Sequence, residues 1–163
     1  GVLGKPMGNG YPIGGVVVKP ELLTDFGKKS GYFNTFGGNP VASAAGLAVL
    51  EVLEAEDLGR NSRETGAYLL SELKKVAAKH ECVGDVRGAG LYLAVEFVRN
   101  RKTREHDKDI AVRTVNDMRE RGVLLGTEGR QGNIWKIRPP LCFSRENADF
   151  FVEGFAATLA ANA

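Results

Sequence analysis

From Cys82 onward the hydrophobic period of this chain changes from helical to alternating. Leu91, Leu93, Val95 and Phe97 alternate with Tyr92, Ala94 and Glu96. Side chains in a strand point to opposite faces in turn, so this run predicts a strand with one face in a core and the other outside it. A strand of that kind needs a partner layer, and the following residues offer one. Ala111, Thr114, Val115 and Met118 recur at helical spacing up to Gly122. Residues 123–125 and 133–138 read as two further strands. Ser144 is a good N-cap for a last helix, with Ala148, Phe151, Val152, Phe155 and Leu159 as its apolar stripe. The order strand, strand, helix, strand, strand, helix predicts a small α+β domain.

The first third of the chain reads differently. Residues 15–18 (Gly-Val-Val-Val) predict a strand buried on both faces. Pro20 suits a first helical position, and Gly27 is expected to close that helix. Asn39 and Pro40 start a longer helix, with Ala42, Ala44, Ala45 and Ala48 for close packing, running to about Glu54. Glu56-Asp57-Leu58 interrupts the pattern before an amphipathic helix with Leu69, Leu73 and Val76 inside and Lys74, Lys75 and Lys79 in water. The expected division is residues 1–55, the end of a larger domain, and residues 56–163, a small α+β domain.

Among 163 residues, 22 basic and 20 acidic side chains give a net charge of +2, too evenly mixed for a nucleic-acid-binding stripe. Arg99, Arg101, Lys102 and Arg104 cluster, but Glu105, Asp107 and Asp109 follow, which predicts a solvated loop. Cys82 and Cys142 have neither CxxC spacing nor a histidine cluster for a metal, and free thiols are the default of a cytoplasmic protein. No apolar run reaches the ~20 residues of a membrane span. The chain starts inside a motif, which leads us to expect the C-terminal part of a longer protein.

That motif is Gly4-Lys5-Pro6-Met7-Gly8-Asn9-Gly10-Tyr11-Pro12. Pro6 biases Lys5 toward extended backbone, and the glycines let a bulky ligand approach. A lysine partly desolvated at a strand end becomes a usable amine nucleophile, whereas the bland alternative is a surface lysine in a turn. About thirty residues on comes Phe33-Asn34-Thr35-Phe36-Gly37-Gly38-Asn39-Pro40-Val41. There is no GxxxxGK[ST] or GxGxxG register for a nucleotide.

Together the two stretches resemble the class III (ornithine/GABA-type) aminotransferases, α/β pyridoxal-phosphate enzymes of fold type I. The similarity extends through Gly84-Asp85-Val86-Arg87-Gly88-Ala89-Gly90-Leu91 and Lys136-Ile137-Arg138-Pro139-Pro140-Leu141. The resemblance implies that Lys5 carries pyridoxal 5'-phosphate as a Schiff base and shuttles the substrate proton. It implies that Thr35 donates to the cofactor phosphate across the interface of a homodimer, and that the substrates are a small amine and an oxo acid. The carboxylate partner of the cofactor ring, its stacked aromatic and the main phosphate loop are expected upstream. Arg87 is read as an ion pair with Asp85 or a neighbour.

Lys136 and Arg138, two apart on a strand, share one face and are candidates for binding an anionic substrate group. Many family members place a carboxylate-binding arginine where this chain has Lys136, and lysine cannot form the bidentate fork. Lys-Ile-Arg-Pro-Pro-Leu-Cys-Phe is similar to a branch of the family that eliminates phosphate from phosphorylated amines such as phosphoethanolamine. Transamination and phosphate elimination therefore both stand. A non-catalytic dimerisation or scaffold role is the alternative from another class.

Overall fold

A computed structural model describes residues 1–162, which fall into two compact units, one of residues 1–57 and one that begins at Leu58. In the first unit β1 (Val2–Leu3) pairs antiparallel with β2 (Gly15–Val16), Val2 opposite Val16. The N-terminal ammonium donates to Val17 O at 2.7 Å and extends the ribbon. Val16 and Val17 are 65% and 67% exposed, so the expectation of burial on both faces fails. A ribbon of two short strands satisfies backbone groups but has no second layer to cover its side chains.

Helix α1 (Pro20–Lys29) runs past Gly27, where the sequence suggested a stop. Gly27 keeps a negative φ, and Ser30 N–H closes the helix by donating to Phe26 O at 2.8 Å. Lys28 and Lys29 in the last turn complement the helix dipole, which helps offset the ~1 kcal/mol that glycine costs in a helix interior. Helix α2 (Pro40–Ala55) begins as expected, with Asn39 Oδ1 accepting from Ala42 N–H at 3.0 Å. Asp57, at φ 46°, turns the chain out of it.

In the second unit come α3 (Leu58–Ala77), β3 (Val83–Ala89), β4 (Tyr92–Asn100), β5 (Glu105–His106), α4 (Lys108–Glu120), β6 (Gly126–Glu128), β7 (Ile134–Ile137) and α5 (Arg145–Ala161). The strands form an antiparallel sheet in the order β3-β4-β7-β6, with β5 paired to β4. Residues 123–125 are not a strand. Gly122 takes φ +86° and Val123 N–H donates back to Met118 O, so these residues still belong to the exit from α4, and the ladder begins at Gly126 opposite Lys136.

The core face of the sheet carries Val86, Leu93, Val95, Phe97, Trp135 and Ile137, none more than 5% exposed. Leu69 and Leu73 of α3, Met118 of α4 and Phe155 of α5 are fully buried with them. Trp135 sits at the centre, its ring 5.1 Å from Phe97 and 5.5 Å from Phe155, and its Nε1–H donates to Ala111 O at 3.0 Å. Between α3 and α5, Tyr68 O–H donates to Asp149 while Arg145 lies 3.8 Å over the Tyr68 ring. The Asp149 carboxylate raises the Tyr68 pKa above the ordinary phenol value.

The solvated loop expected at 99–104 is in part a structural lock. Arg101 Nη2 donates to Ala77 O and His80 O at 2.6 and 2.7 Å, and its Nε donates to Val83 O at 2.9 Å. A guanidinium thus satisfies carbonyls at the C-terminal end of α3 and joins that end to β3. Arg99 does pair with Glu105, Asp107 and Asp109.

Helix α3 meets the β3–β4 hairpin at a point with no room for a side chain. A Cβ on Gly66 would lie 2.1 Å from Gly90 O, and Leu91 N–H donates to Ser62 Oγ one turn earlier on the helix. Gly66→Ala should therefore destabilise the unit by about 1–3 kcal/mol despite alanine's better helix propensity. Gly154→Ala in α5, where the nearest atoms are 3.5 Å away, should instead gain about 0.5–1 kcal/mol. Thermal or urea unfolding of the two variants tests the opposite signs.

Candidate functional site

Lys5 opens a 3-10 turn, Lys5–Gly8, rather than ending a strand. Pro6 lies within the first turn, where a missing N–H costs nothing, and this outweighs its bias of Lys5 toward extended backbone. Lys5 is exposed, not partly desolvated as expected. It borders an open hollow lined by Gly10, Tyr11, Pro12, Ile13 and Gly14. Among the described residues no acid pairs with its ammonium.

Thr35 sits in the turn before α2, and two asparagines shape that turn. Asn34 Oδ1 accepts from Phe36 N–H and Gly37 N–H at 3.1 and 3.0 Å, and Asn39 Nδ2 donates to Phe36 O at 2.8 Å. Gly38, at φ +67°, completes the reversal. The Thr35 hydroxyl has no hydrogen-bond partner among the described residues, and the side chain is exposed. Sequence reasoning saw Asn39 as a cap and missed Asn34, although Asn followed two residues later by Phe-Gly-Gly is an Asx-turn signal.

Ile13 connects the two loops. A Cβ on Gly8 would sit 2.6 Å from Ile13 Cγ2, and one on Gly46 of α2 would sit 3.4 Å from Ile13 Cδ1. The helix that follows the Thr35 turn therefore packs onto the residue that packs onto the Lys5 turn. An exposed primary amine beside an open hollow, and an unpartnered hydroxyl in a tight turn, fit an aldehyde-bearing cofactor with a phosphate tail: amine for the carbonyl, hydroxyl for the anion.

In the second unit, strand alternation places Lys136 and Arg138 on the face of the sheet away from the core, as the spacing predicts. Trp135 and Ile137 point inward. The cross-strand rows on the open face run Arg87–Ala94–Lys136–Gly126 and Asp85–Glu96–Ile134–Glu128. Arg87 donates to Asp85 at 2.8 Å and to Glu96 at 2.7 Å, the structural ion pair expected of it, and both acids raise its pKa. Lys136 forms an ion pair with Glu128, a partner no sequence signal marked. Arg138 lies 5.8 Å over the Tyr92 ring and has no acid partner among the described residues.

A hollow on this face is lined by Arg87, Tyr92, Ala94, Glu128, Lys136 and Arg138. β7 lies between β4 and β6 and is not an edge strand. Its exit through Pro139 and Pro140 is held by Asn61 of α3, whose Nδ2 donates to Leu141 O at 2.7 Å and Phe143 O at 3.1 Å.

No three His, Cys, Asp or Glu among the described residues could hold a metal together. No helix among them is long and apolar enough to cross a membrane. Cys82 is half-buried, and burial pushes its thiol pKa up, away from reactivity.

The chain corresponds to a fragment of the type I pyridoxal-phosphate-dependent transferase fold, as its match to solved transaminase structures shows. The chain belongs to the class-III aminotransferase family, whose model matches residues 1–159. It is 46% identical over 159 residues to the alanine–glyoxylate aminotransferase 2-like protein of Drosophila melanogaster, covering 96% of this chain and 32% of that protein. Among solved structures it is similar to a phospholyase from Arthrobacter in complex with phosphoethanolamine, at TM-score 0.92 and 44% identity over 98% of this chain and 38% of that one. An amine transaminase from an uncultivated Pseudomonas species, solved in a PLP-bound form, matches at TM-score 0.88 and 31% identity over 99% and 38%. The chain thus spans about a third of the length of the relatives it matches.

Asn34→Ala should release the Thr35 turn without unfolding α2, because Asn39 still caps that helix. Amide exchange at Phe36 and Gly37 should accelerate about fivefold or more, the loss of roughly 1 kcal/mol of hydrogen bonding, while the amides of α2 keep their rates.

Proposed function

We propose that this chain is part of a pyridoxal-phosphate-dependent aminotransferase that moves an amino group between a small amine or amino acid and an oxo acid. Lys5 is its cofactor lysine. What carries this reading is the pair of motif loops, the Lys5 turn and the Thr35 turn, inside a stretch that the family model matches over residues 1–159. Bound pyridoxal phosphate supplies an electrophilic carbonyl and an electron sink for the substrate carbon. Lys5 Nζ holds the cofactor and, when released, moves the proton at the substrate Cα. The Thr35 hydroxyl donates to the cofactor phosphate, a charge-assisted hydrogen bond, and does so in the partner subunit of a homodimer. Lys136 and Arg138 take the anionic end of the substrate.

A second reading is supported by one observation. Lys136 stands where many family members place a carboxylate-gripping arginine, and its point-charge ammonium, which cannot form the bidentate fork, suits a phosphate as well as a carboxylate. The similarity to a phospholyase bound to phosphoethanolamine agrees with it. Incubation with phosphoethanolamine separates the two. Release of inorganic phosphate without any oxo acid identifies a lyase, and turnover that requires the acceptor identifies a transaminase.

Borohydride treatment of the cofactor-loaded full-length protein, of which this chain is a part, should fix the cofactor on Lys5, read as a mass increment on the peptide that contains it. An adduct on another lysine, or full-length protein that takes up no cofactor and stays colourless, rejects the assignment and favours a scaffold role.

Thr35→Ala should weaken cofactor retention roughly ten- to a hundredfold, for a charge-assisted hydrogen bond of about 1.5–3 kcal/mol, and leave thermal unfolding of the apoprotein unchanged. In a mixed dimer of Lys5→Ala and Thr35→Ala chains, one intact site and one doubly damaged site are expected. Two equally impaired sites would place the threonine in its own subunit's site.

A further inference from the structure

The open face of the sheet carries three cations, and they are not equivalent. Arg87 is spent on two carboxylates, Asp85 and Glu96. Lys136 is held by Glu128, which reaches it diagonally across the β6–β7 ladder, since Glu128 stands opposite Ile134 and Lys136 opposite Gly126. Arg138 has an aromatic ring beneath it and, among the described residues, no acid partner. An anion arriving at this hollow therefore meets one guanidinium at once and a lysine that already has a carboxylate.

We infer that Glu128 is a specificity-determining residue. It acts as a built-in carboxylate competing with the ligand for Lys136, so the face anchors an anion through Arg138 and yields Lys136 only to an anion of higher charge, a phosphate-type dianion.

The physical reason lies in the exchange. Replacing the Glu128 carboxylate on Lys136 by another single carboxylate trades one ion pair for an equivalent one and gains nothing. A phosphate dianion offers two charges and several acceptor oxygens, enough to engage the Arg138 fork and the Lys136 ammonium together. Displacing Glu128 is cheap, because its side chain is already 53% exposed and rehydrates without a burial penalty. Lys136, at 30% side-chain exposure, is the more desolvated partner and profits more from the stronger anion. This rests on the proposed role of the Lys136–Arg138 face in substrate binding and narrows the ligand to an amine bearing a phosphate.

The test is a binding cycle that does not depend on turnover. Inorganic phosphate and acetate are titrated calorimetrically at pH 8 into cofactor-saturated protein, as wild type, Glu128→Gln, Lys136→Gln, Arg138→Gln and the Glu128→Gln/Lys136→Gln double variant. All the altered side chains are at least partly exposed, and unfolding curves confirm that each variant is folded. Arg138→Gln should weaken both anions about fivefold or more. Lys136→Gln should weaken phosphate but leave acetate unchanged, because acetate never captures Lys136 in the wild type. Glu128→Gln should tighten both anions about fivefold, and adding Lys136→Gln should abolish that gain.

Equal sensitivity of both anions to Lys136→Gln, no sensitivity of either, or a Glu128→Gln gain that survives removal of Lys136 overturns the inference. If the full-length protein takes up no cofactor, the proposed enzymatic function fails. The same cycle run on the cofactor-free protein still decides whether Glu128 screens Lys136.

Discussion

Burial of Trp135 is the constraint on which the second unit depends. Its indole is fully enclosed between Phe97 and Phe155, and its N–H is satisfied by a carbonyl of α4, so sheet, α4 and α5 share one side chain. Truncating such a residue typically costs about 3–5 kcal/mol, and a slip of one residue in β7 would expose it while burying two cations. The register of β7 is thereby fixed, and with it the side of the sheet on which Lys136 and Arg138 appear. The chemistry available on the open face is a by-product of how the core is packed.

Polar groups at the edges of this core are handled by single long-range contacts. Arg101 satisfies carbonyls at the end of α3, Asn133 Nδ2 donates to Phe97 O at 2.8 Å from a buried position, and Asn61 holds the segment after Pro140. Each joins parts of the chain distant in sequence. In the first unit the equivalent role falls to Ile13, wedged between Gly8 and Gly46. Close approach there is possible because glycine leaves room on both sides.

Much of this was legible in the sequence where the signal is local. The alternation Leu93-Val95-Phe97 became β4 with its core face inward, Leu91 falling in the turn before it, and the Ser144 cap and apolar stripe became α5. Asn39-Pro40 became the start of α2, and Arg87 found its acid partners Asp85 and Glu96. Two of the readings that failed relied on one residue's local preference, and a third on a short apolar run. Gly27 did not stop α1, because the next two lysines suit the helix end. Pro6 did not extend Lys5, because it fits the first turn of a 3-10 helix. Residues 123–125 did not form a strand, because Gly122 folds them back onto α4.

By itself the sequence determined the family motifs, the order of the longer helices and strands, and which face of each amphipathic element turns inward, because periodicity and capping act over a few residues; the two-residue β5 and the 3-10 turn at Lys5 left no such mark. Only the tertiary structure decided that Glu128 would meet Lys136, that Arg138 would be left over Tyr92, and that Asn34 would shape the Thr35 turn within a unit joined by Ile13. The charge partners depend on ladder register across a hairpin, and register is set by what the core accepts on the other face of the sheet. A charge on a solvent face carries no periodic mark of its partner, so its pairing appears only once the strands are laid side by side.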